Sequence, residues 1–349
     1  MMALYRTFLR ALPYNISRFV LAAPMLASLM ACSQTPSVES KVIDDNKVVE
    51  IQKTIAEKYP NADAELQHHI LDVAVKAIDN MVFIEGGSFM MGDFGMPCEM
   101  DNLFLAEWNP NVQCASNINS LRYGTINLHK VTLSNYSLAK FETTYYDMNA
   151  YRLVHQLPLI NAEYNESWLQ RPTPTKTWQE TKDYCTWLGD ITNYPFGLPT
   201  EAQWEYAARN RGQNIYYATN DGHIKREGGG RYIRDSNNQR IWKDWPAEEW
   251  NYPRAGNAFN DVGSFPPNPL GIYDLSNNAT EWVNDWFSAD YYANSPEHDP
   301  QGPTTGTNKV QRGWQDDRPI VTARSIGEDK AKYYSMYGFR CALHQKVPL

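Results

Sequence analysis

Apolar residues first fall into helical register at Val48, Ile51 and Ile55, which share one face of a 3.6-residue repeat. Pro60-Asn61-Ala62-Asp63 interrupts the stripe, and Leu66, Ile70, Val73 and Ala77 resume it. Residues 47–80 therefore read as a helical hairpin, with His68 and His69 on its polar face. At Met81 the texture changes. Met81-Val-Phe-Ile-Glu-Gly-Gly-Ser-Phe-Met-Met-Gly92 reads as a strand, a glycine turn and a second strand, and residues 129–139 alternate like a strand. Three further helices are marked by their starts. One opens near Thr143 or Thr144, one follows a Thr177-Trp-Gln-Glu180 capping box, and one has Thr200 as N-cap with Gln203 at the third position. Residues 210–262, rich in Gly, Asn, Arg and Trp, read as long loops. Gly228-Gly-Gly230 precedes neither Lys-Ser/Thr nor a helix, so it is no phosphate loop.

The first thirty-odd residues belong to another category. Arg6, Arg10 and Arg18 precede an apolar run, Phe19 to Met30, that is short for a membrane span and broken by Pro24. Leu29-Met30-Ala31-Cys32 resembles a bacterial lipobox. That resemblance implies a signal peptide over 1–31, a diacylglycerol on the Cys32 thiol and a polar tether over 32–46. Cleavage near Ala31 without lipid, or an uncleaved N-terminal anchor, are the alternatives. Ser33 rather than aspartate after the cysteine implies, by likeness to enterobacterial lipoproteins, an outer-membrane lipoprotein facing the periplasm or the surface.

Charge and cysteine content narrow the partners. Loss of residues 1–31 removes three arginines and no acids, which takes the formal charge from −8 to −11. Such a surface disfavours nucleic acid, whose binding needs clustered Lys and Arg. Eleven Trp and twenty-two Tyr imply a core of aromatics whose polar tips need partners, hence an irregular fold held by side-chain networks. After Cys32, four cysteines remain: Cys98, Cys114, Cys185 and Cys341. An even number in an oxidising compartment indicates two disulfides. Three pairings are open. Cys98–Cys114 is the natural local one and leaves Cys185 with Cys341. No Cys-x-x-Cys or His-x-x-x-His spacing supports zinc.

Several stretches, in order, resemble the formylglycine-generating enzyme (sulfatase-modifying factor) family. They are Met81 to Gly92, Phe141-Glu-Thr-Thr144, Asp183-Tyr-Cys-Thr-Trp-Leu188 and Leu198-Pro-Thr-Glu-Ala-Gln-Trp-Glu-Tyr206. Phe265-Pro-Pro-Asn-Pro-Leu-Gly-Ile-Tyr-Asp274, Asn278-Ala-Thr-Glu-Trp282 and Gly338-Phe-Arg-Cys-Ala342 complete the set. The resemblance covers residues 81–345 and implies an α+β fold, related to C-type lectins, with little regular secondary structure. It implies a disulfide between Cys185 and Cys341. It also implies a structural calcium held by the carboxylates of Asp274 and Glu281 and the carbonyls of Asn277 and Ala279, oxygen donors of the kind calcium prefers. A tight Asn-rich turn with Glu281 buried beside Trp282 is the competing reading.

The same resemblance places the family's copper(I)-binding thiol pair near Asp316 and Val321, just before Ala323-Arg324. Neither is a cysteine, and copper(I) requires soft sulfur. Copper and formylglycine synthesis are therefore not expected. No Gly-x-Ser-x-Gly elbow or His-x-x-x-His-x-Glu arrangement offers other chemistry. Asp316 and Asp317 read as a solvated loop, Glu201 and Glu205 as packing and capping. The expectation is a lipid-anchored, non-catalytic envelope binding or scaffold factor with an envelope or secreted protein as partner. It could be accessory to, or protective against, a secretion system. Trp242, Trp245 and Trp250 are the binding patch to test, with loop core as the competing role. An oxidoreductase of different metal chemistry and a calcium-dependent glycan-binding module are the alternatives.

Overall fold

Asp44 and Asp63 start the two helices that the apolar stripes predict. In the computed structural model each carboxylate accepts the backbone N–H three residues on, opening α1 (Asp45–Lys58) and α2 (Ala64–Asp79). The structure describes residues 38–97, 102–111, 113–115, 123–163, 165–254, 259–313, 319–328 and 337–349. The signal segment, Cys32, Cys98 and Asp316 lie outside the described residues.

The helical hairpin is continuous with the main core. Its buried face packs with α3 (Tyr145–Val154) and α4 (Trp178–Thr192), where Ile51, Ile70 and Ile78 meet Met148, Tyr184, Trp187 and Leu188. The polar stretch expected to run as tether to residue 46 is docked from Val38 onward. Ser40 Oγ donates to Asp79 Oδ1 at 2.5 Å, Lys41 N to Asp79 Oδ2 at 2.9 Å, and Val38 and Ile43 pack on the core. Residues 38–349 form one compact unit.

Two stretches read as simple strands each divide between two sheets. β1 (Met81–Ile84) and β2 (Gly87–Met91) are followed by the short β3 (Met96–Pro97) and β4 (Gln113–Ala115), then β5 (His129–Leu133) and β6 (Tyr136–Ala139). β1 pairs with β6 and β2 with β5, so the long ribbon breaks at Gly86 and at Ser134-Asn135 opposite it. Gly86 N donates to Asn135 Oδ1 at 2.8 Å across the break. A side chain at 86 would run into the Leu133 carbonyl, so only glycine passes there.

After β7 (Phe196–Gly197), α5 (Glu201–Ala208) carries a complete capping box between Thr200 and Gln203. The expected box at Thr177 is half formed. Thr177 caps Glu180 N, but the Glu180 carboxylate turns to Lys176 N and to Arg152. The region read as loops contains a hairpin, β8 (Gly230–Arg234) and β9 (Arg240–Asp244). β10 (Thr280–Trp286), α6 (Tyr291–Asn294), β11 (Lys309–Gly313), β12 (Arg324–Gly327), β13 (Tyr337–Phe339) and β14 (Ala342–Leu343) complete the chain. The larger sheets have the orders β1-β6-β14-β7 and β12-β11-β10-β13, with β10 and β13 parallel. The architecture is α+β, as the resemblance implies. Cys185 of α4 is bonded to Cys341, between β13 and β14, across 156 residues of sequence. Cys114 lies on β4, and Cys98, its expected partner, lies outside the described residues.

Candidate functional site

Glu201, Glu205 and Arg209 follow one another at four-residue steps from the start of α5, so all three side chains emerge on one helix face. That face is turned inward and its charges are completely buried. Arg312 of β11 reaches both acids: Nη1 donates to Glu201 at 2.9 Å and Nη2 to Glu205 at 2.8 Å. Arg324 of β12 donates to the other oxygen of Glu201 at 2.8 Å, and Arg209 to the other oxygen of Glu205 at 2.8 Å. Tyr292 OH donates to Glu201 at 3.0 Å, while Gly92 N donates to Glu205 at 3.0 Å. Burial pushes the Glu205 carboxyl up, but Arg312 and Arg209 outweigh it and hold the group below its ordinary range. Asp285 of β10 accepts Glu201 N at 2.8 Å; burial and then the Glu201 charge push it up to about 7.

The network occupies the ground beneath Val321, the described member of the pair of positions where the resemblance implies thiols. The Val321 carbonyl accepts Arg312 Nη2 at 2.5 Å, its N–H donates to Tyr216 O at 2.9 Å, and its side chain is buried in the core. Aliphatic carbon there offers no ligand to a soft metal. All four oxygens of Glu201 and Glu205 already hold donors, so neither is poised to move a proton to or from a substrate.

A second buried cluster forms around the turn that begins at Asp274. Asp274 and Asn278 both take left-handed backbone with φ of 65°, which asparagine and aspartate tolerate better than other side chains. Asn277 N closes the turn on Asp274 O at 3.1 Å. Glu142, just before α3, reaches across and accepts Ala279 N at 2.8 Å and Asn278 Nδ2 at 3.0 Å. Glu281 is gripped by Arg340, whose Nη2 donates at 2.6 Å and whose Nε lies 3.0 and 2.9 Å from its two oxygens. Trp204 Nε1 adds a fourth contact at 2.9 Å. Asp274 accepts Gly263 N at 2.8 Å. Burial pushes Asp274 up to about 6. Burial and then the charges of Asp274 and Glu281 push Glu142 well above the usual carboxylate range.

This arrangement bears on the calcium set of Asp274, Asn277, Ala279 and Glu281. A hard cation needs carboxylate oxygens with lone pairs to give. Both Glu281 oxygens instead face a guanidinium and an indole N–H, which repel a cation. The residues as arranged do not fit calcium. They fit the competing turn, with Glu281 buried next to Trp282 and neutralised by Arg340.

The three tryptophans do not form one surface. Trp245 is buried at the root of the β8–β9 hairpin and Trp250 is half-buried, its Nε1 donating to Trp245 O at 3.1 Å. Trp242, 46% exposed, stands on β9 alone of the three. Sequence reasoning missed Arg209, Arg312, Arg324, Glu142 and Arg340. The signal for the first was the Glu201, Glu205, Arg209 spacing; the others meet their partners only through the tertiary fold. Among the described residues no helix is long and apolar enough to cross a membrane.

Comparison with known proteins places this geometry. Residues 67–345 match the Sulfatase-modifying factor enzyme 1-like domain family. The chain is 34% identical over 184 residues to the formylglycine-generating enzyme of Streptomyces coelicolor, a match covering 49% of this chain and 52% of that one. It is 28% identical over 276 residues to the serine/threonine-protein kinase pkn1 of Chlamydia caviae, covering 75% of this chain and 37% of the kinase. The matches thus span about half of one curated relative and just over a third of the other. Among solved structures, PvdO from Pseudomonas aeruginosa and Treponema denticola variable protein 1 each align over 76% of this chain with a TM-score of 0.50. They cover 94% and 95% of those chains at 20% identity, a likeness of fold alone.

Proposed function

The chain belongs to the formylglycine-generating enzyme (sulfatase-modifying factor) family, and from that premise we propose that it is a lipid-anchored, non-catalytic member. On this reading it binds or scaffolds another protein in the cell envelope, as an accessory to, or protection against, a secretion system. The observation that supports the non-catalytic reading is Val321, a buried aliphatic residue with its carbonyl committed to Arg312. Copper(I) chemistry needs thiolates, and two of the five cysteines are consumed by the Cys185–Cys341 bond. The lipid anchor rests on the Leu29-Met30-Ala31-Cys32 sequence.

Two measurements test the reading. Full-length protein supplied with copper(I) and oxygen is incubated with a sulfatase peptide bearing the target cysteine, and aldehyde is trapped with hydroxylamine and weighed by mass spectrometry. No aldehyde is expected; its appearance overturns the non-catalytic assignment. Replacement of Cys32 by serine is expected to release the protein from the membrane fraction, and retention would overturn the anchor.

A further inference from the structure

The β8–β9 hairpin is built against its own stability. Its register sets Arg231 directly opposite Lys243 and Arg234 directly opposite Arg240. Like charges in directly opposed positions weaken a strand pair, and a lone two-stranded ribbon is marginal to begin with. Among the described residues no carboxylate pairs with Arg231, Arg234 or Lys243. Arg234 Nη1 goes to Asn238 O at 2.8 Å, and Arg231 lies over the Trp245 ring at 5.1 Å. This concentration of positive charge sits on a chain of formal charge −8.

The ribbon is nonetheless held in shape at both ends. At the root, Trp245 N donates to Gly229 O at 3.0 Å and Asn102 Nδ2 to Gly230 O at 3.2 Å. At the tip, the Asp235 carboxylate accepts Asn237 N at 2.9 Å and Gln239 N at 2.8 Å. Between them Tyr232 and Trp242 stack edge to face at 5.1 Å, with the Arg240 guanidinium 4.0 Å above Tyr232.

Charged residues on a free strand edge commonly serve only to prevent aggregation. That role does not account for Tyr232, Ile241 and Trp242, which stand among the charges at 48%, 42% and 46% exposure. Aromatics and arginines together are the residues that anchor protein interfaces. Directly opposed residues share a face, so Tyr232 and Trp242 lie on one side of the ribbon and Ile241 on the other. A flat membrane can meet only one of these. Among the described residues β8 and β9 pair only with each other, and every residue of β9 is exposed. The outer edge of β9 offers N–H and C=O groups in alternation, and another extended backbone answers both kinds.

We propose that the outer edge of β9 docks an extended, acidic segment of a partner protein, which adds as a third strand. On one face of that strand its carboxylates meet Lys243, with Arg231 across the ribbon, and on the other its alternate apolar side chains rest on Trp242 and Tyr232. The inference rests on the binding reading above and names its surface and the chemistry of its partner.

The test uses the full chain and a fluorescent peptide of alternating glutamate and valine, read by anisotropy. Saturable binding is expected. It should weaken at least about tenfold in the double variant Arg231→Glu, Lys243→Glu and in Trp242→Ala, with unchanged circular dichroism. Methylating alternate peptide nitrogens should abolish it. Equal binding of the methylated peptide, or of phosphatidylglycerol vesicles or single-stranded DNA in its place, overturns the proposal, as does indifference to the variants. Envelope crosslinking separates the two levels. If wild type and the double variant capture the same partner equally, the hairpin assignment falls and the binding reading stands. If neither captures a partner and no peptide binds, both fall.

Discussion

Arg312 spans Glu201 and Glu205 with its two terminal nitrogens, at 2.9 and 2.8 Å, and so clamps two carboxylates one helical turn apart with no solvent between them. Nη2 also donates to Val321 O and so ties β11 to the segment before β12. One guanidinium therefore joins α5, β11 and the position where sulfur is absent.

Removing that guanidinium strands two buried carboxylates. Breaking a buried ion pair from one side costs about 3–5 kcal/mol, because the remaining charge is left without compensation. Arg312→Met is expected to destabilise the fold by at least that much, measured by urea denaturation. Arg211→Met, at a surface ion pair with Glu85, should change stability by about 1 kcal/mol or less.

The Cys185–Cys341 bond closes a loop of 156 residues. On the chain-entropy account a closure of that size contributes about 5 kcal/mol. A Cys185→Ala, Cys341→Ala variant should lose a large part of its denaturation midpoint, and reducing agent should have no further effect on it. A wild-type chain insensitive to reductant would contradict this.

Stability should also depend on Asp285. Its folded-state pKa, about 7, lies above the unfolded value of 3.8, so the folded state binds the proton more tightly. The contribution is complete below the unfolded pKa and is lost as pH rises through 7. Asp274, at about 6, acts in the same direction. Glu205, held low by its arginines, acts oppositely and its contribution is lost only in acid. Asp285→Asn keeps an oxygen to accept Glu201 N. It should flatten the decline in melting temperature between pH 5 and 8, and an unchanged slope would remove Asp285 from the account.

Calcium gives a direct contrast. An ion bound a hundredfold below its free concentration would add about 2.7 kcal/mol of stability. With Glu281 committed to Arg340, millimolar calcium and chelator are expected to give the same melting temperature. Arg340→Leu should be severely destabilised in both.

What the sequence disclosed, it disclosed through local chemistry. Thr144 and Thr200 cap where short-range rules put them, because a cap needs only neighbours in the chain. Glu180 shows the limit: a buried arginine 28 residues away claims the carboxylate that the local rule assigned to Thr177. The 129–139 strand looks continuous because alternation survives the jump from one sheet to the other at Ser134-Asn135. Residues 230–244 hide a ribbon because arginine and glycine mask its period. The ion clusters were the least legible. Glu142 meets Ala279 across 137 residues and Arg340 meets Glu281 across 59, and no window of sequence contains both partners.

The disulfide has one more effect, on survival after damage. The hairpin tip at Asp235 to Gln239 is the kind of exposed turn that proteases cut, and it lies inside the ring closed by Cys185 and Cys341. A single nick there produces two polypeptides still joined by sulfur, so the scissile ends can part without shedding either fragment.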